Sequence, residues 1–126
     1  MRILAYTTPA RGHLYPVMGG LLELVRRGHA VTVLTLGGEV ARVRREGLEA
    51  FPIEAAIEGR ELDDHVATNP IGAVRRAVGT FLDRAHLEVD DLRRAITAHR
   101  PELLLIDTNA WGAQAVADAS GLPWAT

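Results

Sequence analysis

Short apolar runs alternate along the chain with stretches of helical period, and this alternation constrains the fold more than any other feature of the sequence. Such a series of strands, turns and helices is typical of βαβ units, which build a parallel sheet. Strands are predicted near residues 2–7, 30–35, 48–53 and 103–106 and from about residue 123. With 126 residues, 48% of them hydrophobic, the chain can bury one core. We therefore predict a single α/β domain with a doubly wound parallel sheet in the order 3-2-1-4-5.

Proline and glycine mark the ends of the first predicted helix. Pro16 suits the first turn of a helix, and Gly28 suits the position just after the end of one. Residues 8–15 are therefore predicted as a loop between the first strand and this helix.

A long helix is predicted to start at Asn69 and Pro70, a good cap and first-turn pair. Apolar residues then recur at steps of three or four, which predicts a single apolar face packed on the sheet: Ile71, Val74, Val78, Phe81, Ala85, Val89, Leu92 and Ile96. The polar segment 54–68 before it has no clear period, and it is predicted as the most flexible loop.

The composition excludes several classes of function. A net charge of −2 with mixed signs gives no basic stripe for nucleic acid, and no apolar run approaches the roughly 20 residues of a membrane span. Without cysteine, and with five histidines at no metal-ligand spacing, no metal site is expected. The chain starts with a strand pattern rather than a signal peptide, so a cytoplasmic location is expected. A P-loop would need lysine, which is absent, and the first loop lacks the glycines of a dinucleotide-binding turn.

The predicted topology brings two chemically capable residues together. His13 follows the first strand and Asp107 ends the fourth, and these strands are neighbours in the order 3-2-1-4-5. Ligands of open α/β sheets bind at the carboxyl ends of the strands, where the strand order reverses. A carboxylate that accepts the proton on one imidazole nitrogen leaves the other nitrogen free to act as a general base. The alternative is a loop histidine near a helix and an aspartate that only caps the next helix.

Further residues are expected near the same edge. Tyr15 and Trp111 could offer flat apolar surface to a substrate, although aromatic residues there are about as often core or lid. Thr8 could contribute a hydroxyl group, or only hydrogen-bond its own loop. The segment 54–68 and the start of the next helix, with Phe81, are expected to select the substrate, because loops carry specificity on such scaffolds.

The sequence resembles the N-terminal, Rossmann-like domain of GT-B glycosyltransferases, especially those that decorate natural products in actinomycetes. The resemblance covers the chain from end to end and rests on three segments. The first is the turn Gly12-His13-Leu14-Tyr15-Pro16, and the second is residues 27–33, the second strand with the residues just before it. The third is IDTNAWGAQAVADASGLPWA, which runs from the fourth strand to the fifth. It implies that His13 is the catalytic base, that Asp107 partners it, and that Gly12 lies in the acceptor site. Tyr15 departs from the polar cap often found before the proline. The first loop also lacks the glycines of the branch acting on peptidoglycan precursors, which favours a small aglycone as acceptor.

The resemblance implies a specific reaction. His13 would remove the acceptor proton while the acceptor oxygen displaces a nucleotide diphosphate from the anomeric carbon, with inversion. The co-substrate would be a nucleotide-diphosphate sugar, and no metal or other cofactor would be needed. Residues 1–126 would form the acceptor-binding domain of a longer enzyme, and the absent C-terminal domain would bind the nucleotide sugar. The fragment alone would then be inactive.

Two rival functions are weighed against this one. The first is a non-catalytic half that binds an acceptor or a partner subunit. The second is a hydrolase that uses the same His-Asp pair, but no serine or cysteine lies on a strand-to-helix elbow to act as nucleophile.

Overall fold

A computed structural model describes residues 1–126 and shows a parallel five-stranded sheet with helices on both faces. The strand order is β3-β2-β1-β4-β5, as predicted. In chain order the elements are β1 (Arg2–Tyr6), α1 (Arg11–Arg26), β2 (Ala30–Thr35), α2 (Gly37–Arg45), β3 (Glu49–Pro52), α3 (Ala55–Glu58), a 3₁₀ turn (Asp64–Val66), α4 (Pro70–His99), β4 (Leu103–Ile106), α5 (Trp111–Ala119) and β5 (Trp124–Ala125). The predicted α/β fold class is confirmed.

The central strand β1 is buried on both faces, as strands of parallel sheets generally are. Ile3 and Ala5 belong to the core beneath α1 and α2. Leu4 and Tyr6 belong to the opposite core, against α4 and α5. Because successive side chains of a strand point to opposite faces, this one strand joins the two halves of the core.

The first helix begins five residues earlier than the sequence indicated. α1 starts at Arg11, so Pro16 lies inside the helix, and the prediction of a loop over residues 8–15 is correct only up to Ala10. Proline is tolerated here because Pro16 stands near the helix start and interrupts only one bond, the one from its own nitrogen to the carbonyl of Gly12. His13 therefore belongs to the first turn of α1. The C-terminal end is as predicted, since Gly28 follows the cap with φ 87°.

The segment before α4 is more ordered than predicted. It contains the short helix α3 and the 3₁₀ turn instead of one irregular loop. Ile57 on α3 is fully buried in the core beneath α4, which explains why this polar segment folds back onto the domain.

The long helix α4 begins as predicted, because the Asn69 side chain accepts a hydrogen bond from the Gly72 amide at 2.8 Å. The prediction of one face packed on the sheet holds only for its C-terminal half, where Leu92 is buried. Ile71 and Val74, in the N-terminal half, are 83% and 64% exposed. A helix of 30 residues is about 45 Å long, and strands of four to six residues span only about 13–20 Å, so α4 extends well beyond the sheet.

The C-terminal half of α4 is fixed by buried polar contacts. Asp91 accepts hydrogen bonds from the Tyr6 hydroxyl at 2.9 Å and from the Glu54 amide at 3.1 Å. Burial and the neighbouring Asp91 carboxylate raise the pKa of Tyr6, so its hydroxyl stays a donor. These bonds hold α4 against β1. None of the helices is both long and apolar enough to cross a membrane.

Candidate active site

The carboxyl ends of β1 and β4 lie side by side and bring the two predicted residues together. Tyr6 pairs with Ile106 in the parallel register, and the Asp107 amide donates to the Tyr6 carbonyl at 2.9 Å. Asp107 is thereby fixed at the end of β4, directly beside the segment that leads from β1 into α1. His13 then reaches it from the first turn of α1.

The imidazole of His13 meets the Asp107 carboxylate through one nitrogen only. Nδ1 lies 3.1 Å from Oδ1 and 3.0 Å from Oδ2 of Asp107. The Asp107 side chain is 7% exposed, whereas that of His13 is 36% exposed and reaches solvent. Because a carboxylate only accepts hydrogen bonds, Nδ1 must carry the proton, and in the neutral ring Nε2 is then the nitrogen with the free electron pair.

The Asp107 carboxylate is held in turn by backbone amides. Oδ1 accepts from the Asn109 amide at 2.8 Å, and the Thr8 amide lies 3.4 Å from Oδ2. The side chain of Gln114 on α5 donates to the carbonyls of Asp107 and Thr108 at 3.0 and 2.8 Å. Asp107 thus orders its own loop as well as orienting the imidazole. The alternative, an aspartate that only caps the next helix, is wrong, because the N-cap residue of α5 is Ala110 and no side chain caps that helix.

Two cavities meet at His13. The smaller one, of about 310 Å³, lies between the start of α1, the loop after α3, and α4. Its wall includes Thr8, Leu36, Leu62, Phe81 and Asn109. The larger one, of about 680 Å³, runs along α1 and over β4, and its wall includes Asp107 and Thr108. Asn109 is the residue that approaches Nε2, at 3.4 Å from its own Nδ2, so the basic nitrogen faces the smaller cavity.

The other predicted residues lie in different parts of the site. Thr8 and Phe81 line the smaller cavity, and the Thr8 hydroxyl is buried without a hydrogen-bond partner. Trp111 lies behind Phe81, with ring centroids 5.3 Å apart. Gly12 lines the larger cavity instead. No group of three or more His, Asp or Glu side chains is placed to hold a metal ion.

The chain is similar in sequence and in fold to several glycosyltransferases. No protein-family model matches the chain. Elloramycin glycosyltransferase ElmGT of Streptomyces olivaceus is 34% identical over 137 aligned positions, which take in 98% of this chain and 35% of that protein. For 4'-demethylrebeccamycin synthase of Lentzea aerocolonigenes the identity is 27%, over 97% of this chain and 31% of that protein. The solved glycotransferase of kitacinnamycin has a TM-score of 0.75 at 32% identity and covers 98% of this chain, or 29% of its own.

The chain is a homologue of actinomycete natural-product glycosyltransferases. It spans about a third of the length of the curated relatives it matches. Its fold is the one found in GT-B glycosyltransferases, as the resemblance implied. Solved structures of the same fold, at 20% and 23% identity, include glycosyltransferases complexed with thymidine diphosphate.

In this glycosyltransferase homologue, Tyr15 lies outside both cavities. Its hydroxyl donates to Glu39 on α2 at 3.0 Å, and the Arg42 guanidinium stacks 4.6 Å from its ring centre. Arg11 contacts the same Glu39 at 2.5 Å. Hydrogen bonds from Arg11 and then Tyr15 lower the pKa of the Glu39 carboxyl. Through these two bonds Glu39 links the start of α1 to α2. Glu39 was not predicted from the sequence, although it follows β2 and so lies at the same carboxyl-end edge of the sheet as His13.

A second carboxylate that the sequence analysis missed lies beneath the site. Glu88 on α4 is fully buried and accepts a hydrogen bond from the Gly112 amide, at the start of α5, at 2.9 Å. Burial raises its pKa to about 7, against the opposing effect of the backbone amides of Gly112 and Ala113. No sequence signal marks it, because a glutamate in a helix is usually exposed.

Proposed function

We propose that this chain is the N-terminal, acceptor-binding domain of an inverting glycosyltransferase, and that His13 is its general base with Asp107 as partner. The observation that carries the proposal is the pairing of Nδ1 with both Asp107 oxygens, which leaves Nε2 without a proton beside Asn109 at the wall of a cavity. The homologues support sugar transfer in natural-product biosynthesis as the reaction class.

The proposed reaction is one displacement. The acceptor hydroxyl donates its proton to Nε2 of His13 while its oxygen forms a bond to the anomeric carbon. The bond from that carbon to the nucleotide diphosphate breaks, and its electron pair leaves with the diphosphate. Attack from the face opposite the leaving group inverts the anomeric configuration. Asp107 holds the imidazole in the required tautomer and stabilises the imidazolium as it forms.

The acceptor is proposed to bind in the smaller cavity. Asn109, whose side chain approaches Nε2, lines this cavity, whereas Asp107, which binds Nδ1, lines the larger one. The wall of the smaller cavity combines apolar side chains such as Leu62 with the charged side chains of Glu58, Glu61 and Arg84. Such a wall suits a small aglycone that carries several hydroxyl groups. Phe81, supported by Trp111, offers a flat surface, and the unpaired Thr8 hydroxyl can bind a second polar group of the ligand.

The nucleotide-diphosphate sugar is proposed to bind to a further domain of a full-length enzyme. Thymidine diphosphate complexes among proteins of the same fold support a nucleotide sugar as co-substrate. Residues 1–126 alone are then expected to bind acceptor but not to transfer sugar. Equal turnover by residues 1–126 and by the full-length enzyme would contradict this division of labour.

The decisive experiment is His13→Ala in the full-length enzyme, assayed for nucleotide release and for glycoside formation with a panel of hydroxylated aglycones. General-base assistance contributes roughly a hundred- to ten-thousand-fold, so turnover should fall by about that factor. Asp107→Asn should cost less, because the imidazole itself remains. His86→Ala, at an exposed position on α4, is the matched control and should leave turnover unchanged. Unchanged turnover in His13→Ala would exclude the proposed base.

A further inference from the structure

Asn109 is the side chain nearest to the proposed basic nitrogen of His13. Its Nδ2 lies 3.4 Å from Nε2, and its own backbone amide is bound to Asp107 Oδ1 at 2.8 Å. One carboxylate therefore binds both the imidazole of His13 and the backbone of Asn109. Nε2 carries no proton in the base form, so the group that faces it must be a donor, which agrees with Nδ2 in this position.

We propose that Asn109 is a second catalytic residue, which binds the reacting oxygen of the acceptor and so selects oxygen over nitrogen nucleophiles. The proposal rests on the function proposed above. Asn109 is half-buried at the wall of the smaller cavity, beside His13. An atom that donates to Nε2 from this cavity comes within reach of Nδ2 as well, because the two nitrogens are only 3.4 Å apart.

The chemistry of a hydroxyl group fits both contacts. Its proton goes to Nε2, and one of its two electron pairs forms the bond to the anomeric carbon. The other electron pair accepts a hydrogen bond from Nδ2 of Asn109. Negative charge develops on the oxygen as the proton leaves, so this hydrogen bond strengthens towards the transition state. Asn109 should therefore affect kcat more than KM.

An amine does not fit in the same way. Its nitrogen has one electron pair, and that pair forms the bond to the anomeric carbon. Nothing remains to accept a hydrogen bond from Asn109 during the attack, although an N–H group can still donate to Nε2. The carboxamide therefore favours a hydroxyl acceptor and contributes nothing to transfer onto an amine.

The test is Asn109→Leu in the full-length enzyme, with a phenolic acceptor and the arylamine of the same skeleton. Loss of one oxyanion donor costs about a hundred- to a thousand-fold in well-enclosed sites. In this more open site we expect kcat for the phenol to fall about ten- to a hundredfold, with KM changed less than about threefold. Turnover of the arylamine should change by less than about threefold. If the wild-type enzyme does not accept the arylamine, the kcat and KM values for the phenol still test whether Asn109 acts in the transition state.

Gln114→Met is the matched control for loosening of the loop. It removes the bonds to the carbonyls of Asp107 and Thr108 but leaves the Asn109 side chain in place. If Gln114→Met only loosens the loop, the rates of transfer to the phenol and to the arylamine should fall by the same factor. An effect of Asn109→Leu on KM alone, or an equal loss for phenol and arylamine, would overturn the proposal. If His13→Ala is inactive while Asn109→Leu is unchanged, only the role of Asn109 fails. Full activity of His13→Ala would instead remove the proposed base.

Discussion

The two halves of α4 invert the usual relation between polarity and burial. In the N-terminal half, Ile71 and Leu82 are 83% and 58% exposed. From the middle of the helix towards its C-terminal end, the charged side chains of Arg84, Glu88 and Asp91 are buried. One continuous helix therefore carries exposed apolar residues at one end and buried charges at the other.

The difference shows that position in the fold, and not hydrophobicity alone, decides burial. The C-terminal half lies on the sheet and against α5, and each buried charge there has a partner. Arg84 donates to the carbonyl of Arg60, and Asp91 accepts from Tyr6. The N-terminal half extends past the sheet, where its neighbours are the segment around the 3₁₀ turn and, at Phe81, Trp111 of α5. The same periodic sequence thus packs in one half and remains open in the other.

The largest expected effect comes from Gly112→Ala, where α5 crosses α4. A Cβ at this position would lie 1.8 Å from the Ala85 carbonyl oxygen, so the backbones must separate. We expect a loss of more than about 3 kcal/mol in the free energy of unfolding, at the upper end for overpacked sites. Urea denaturation of the chain measures it.

Gly79→Ala, in the N-terminal half, is the matched control. Nothing lies within 4 Å of its added Cβ, so alanine should stabilise α4 by about 0.5–1 kcal/mol. Equal effects of the two substitutions would show that the contrast between the two halves is incorrect.

The pH dependence of stability should report the buried Glu88. Its pKa is about 7 in the folded chain, against an ordinary value of 4.5. Between these values the folded state binds the extra proton, so the free energy of unfolding falls as pH rises from 4.5 to about 7. The whole difference corresponds to about 3 kcal/mol, at about 1.4 kcal/mol per pKa unit.

Glu88→Gln should abolish this loss, because an amide oxygen can accept from Gly112 without ionising. Denaturation curves between pH 4 and pH 8, on the order of one curve per pH unit, would show it. The exposed neighbour Asp90→Asn should keep the wild-type slope. A Glu88→Gln variant that loses stability at pH 8 would contradict the burial of an ionisable group as the cause.

The smallest effect is expected at the exposed end of α4. Ile71→Ala removes apolar surface that is already in water, so the free energy of unfolding should change by less than about 0.5 kcal/mol. Leu92→Ala, fully buried in the other half, should cost about 2–5 kcal/mol in the same assay. A large loss at Ile71 would mean that the N-terminal half packs against the domain after all.

Much of the site followed from the sequence because it depends on topology. His13 and Asp107 each lie at the end of a strand, and the order of a doubly wound sheet makes those strands neighbours. Asn109 and Glu39 were missed because their roles depend on side-chain direction. Nothing in their spacing shows that Asn109 faces His13, or that Glu39 holds Tyr15 away from the cavities.

The sequence by itself determined the strand order, the cap of α4 and the pairing of His13 with Asp107, since local pattern and chain direction suffice for these. Only the tertiary structure decided where α1 begins, which half of α4 is buried, and on which side of the imidazole the smaller cavity opens. These depend on how far each helix reaches across the sheet and on contacts between residues far apart in the chain. Such contacts leave no period in the sequence.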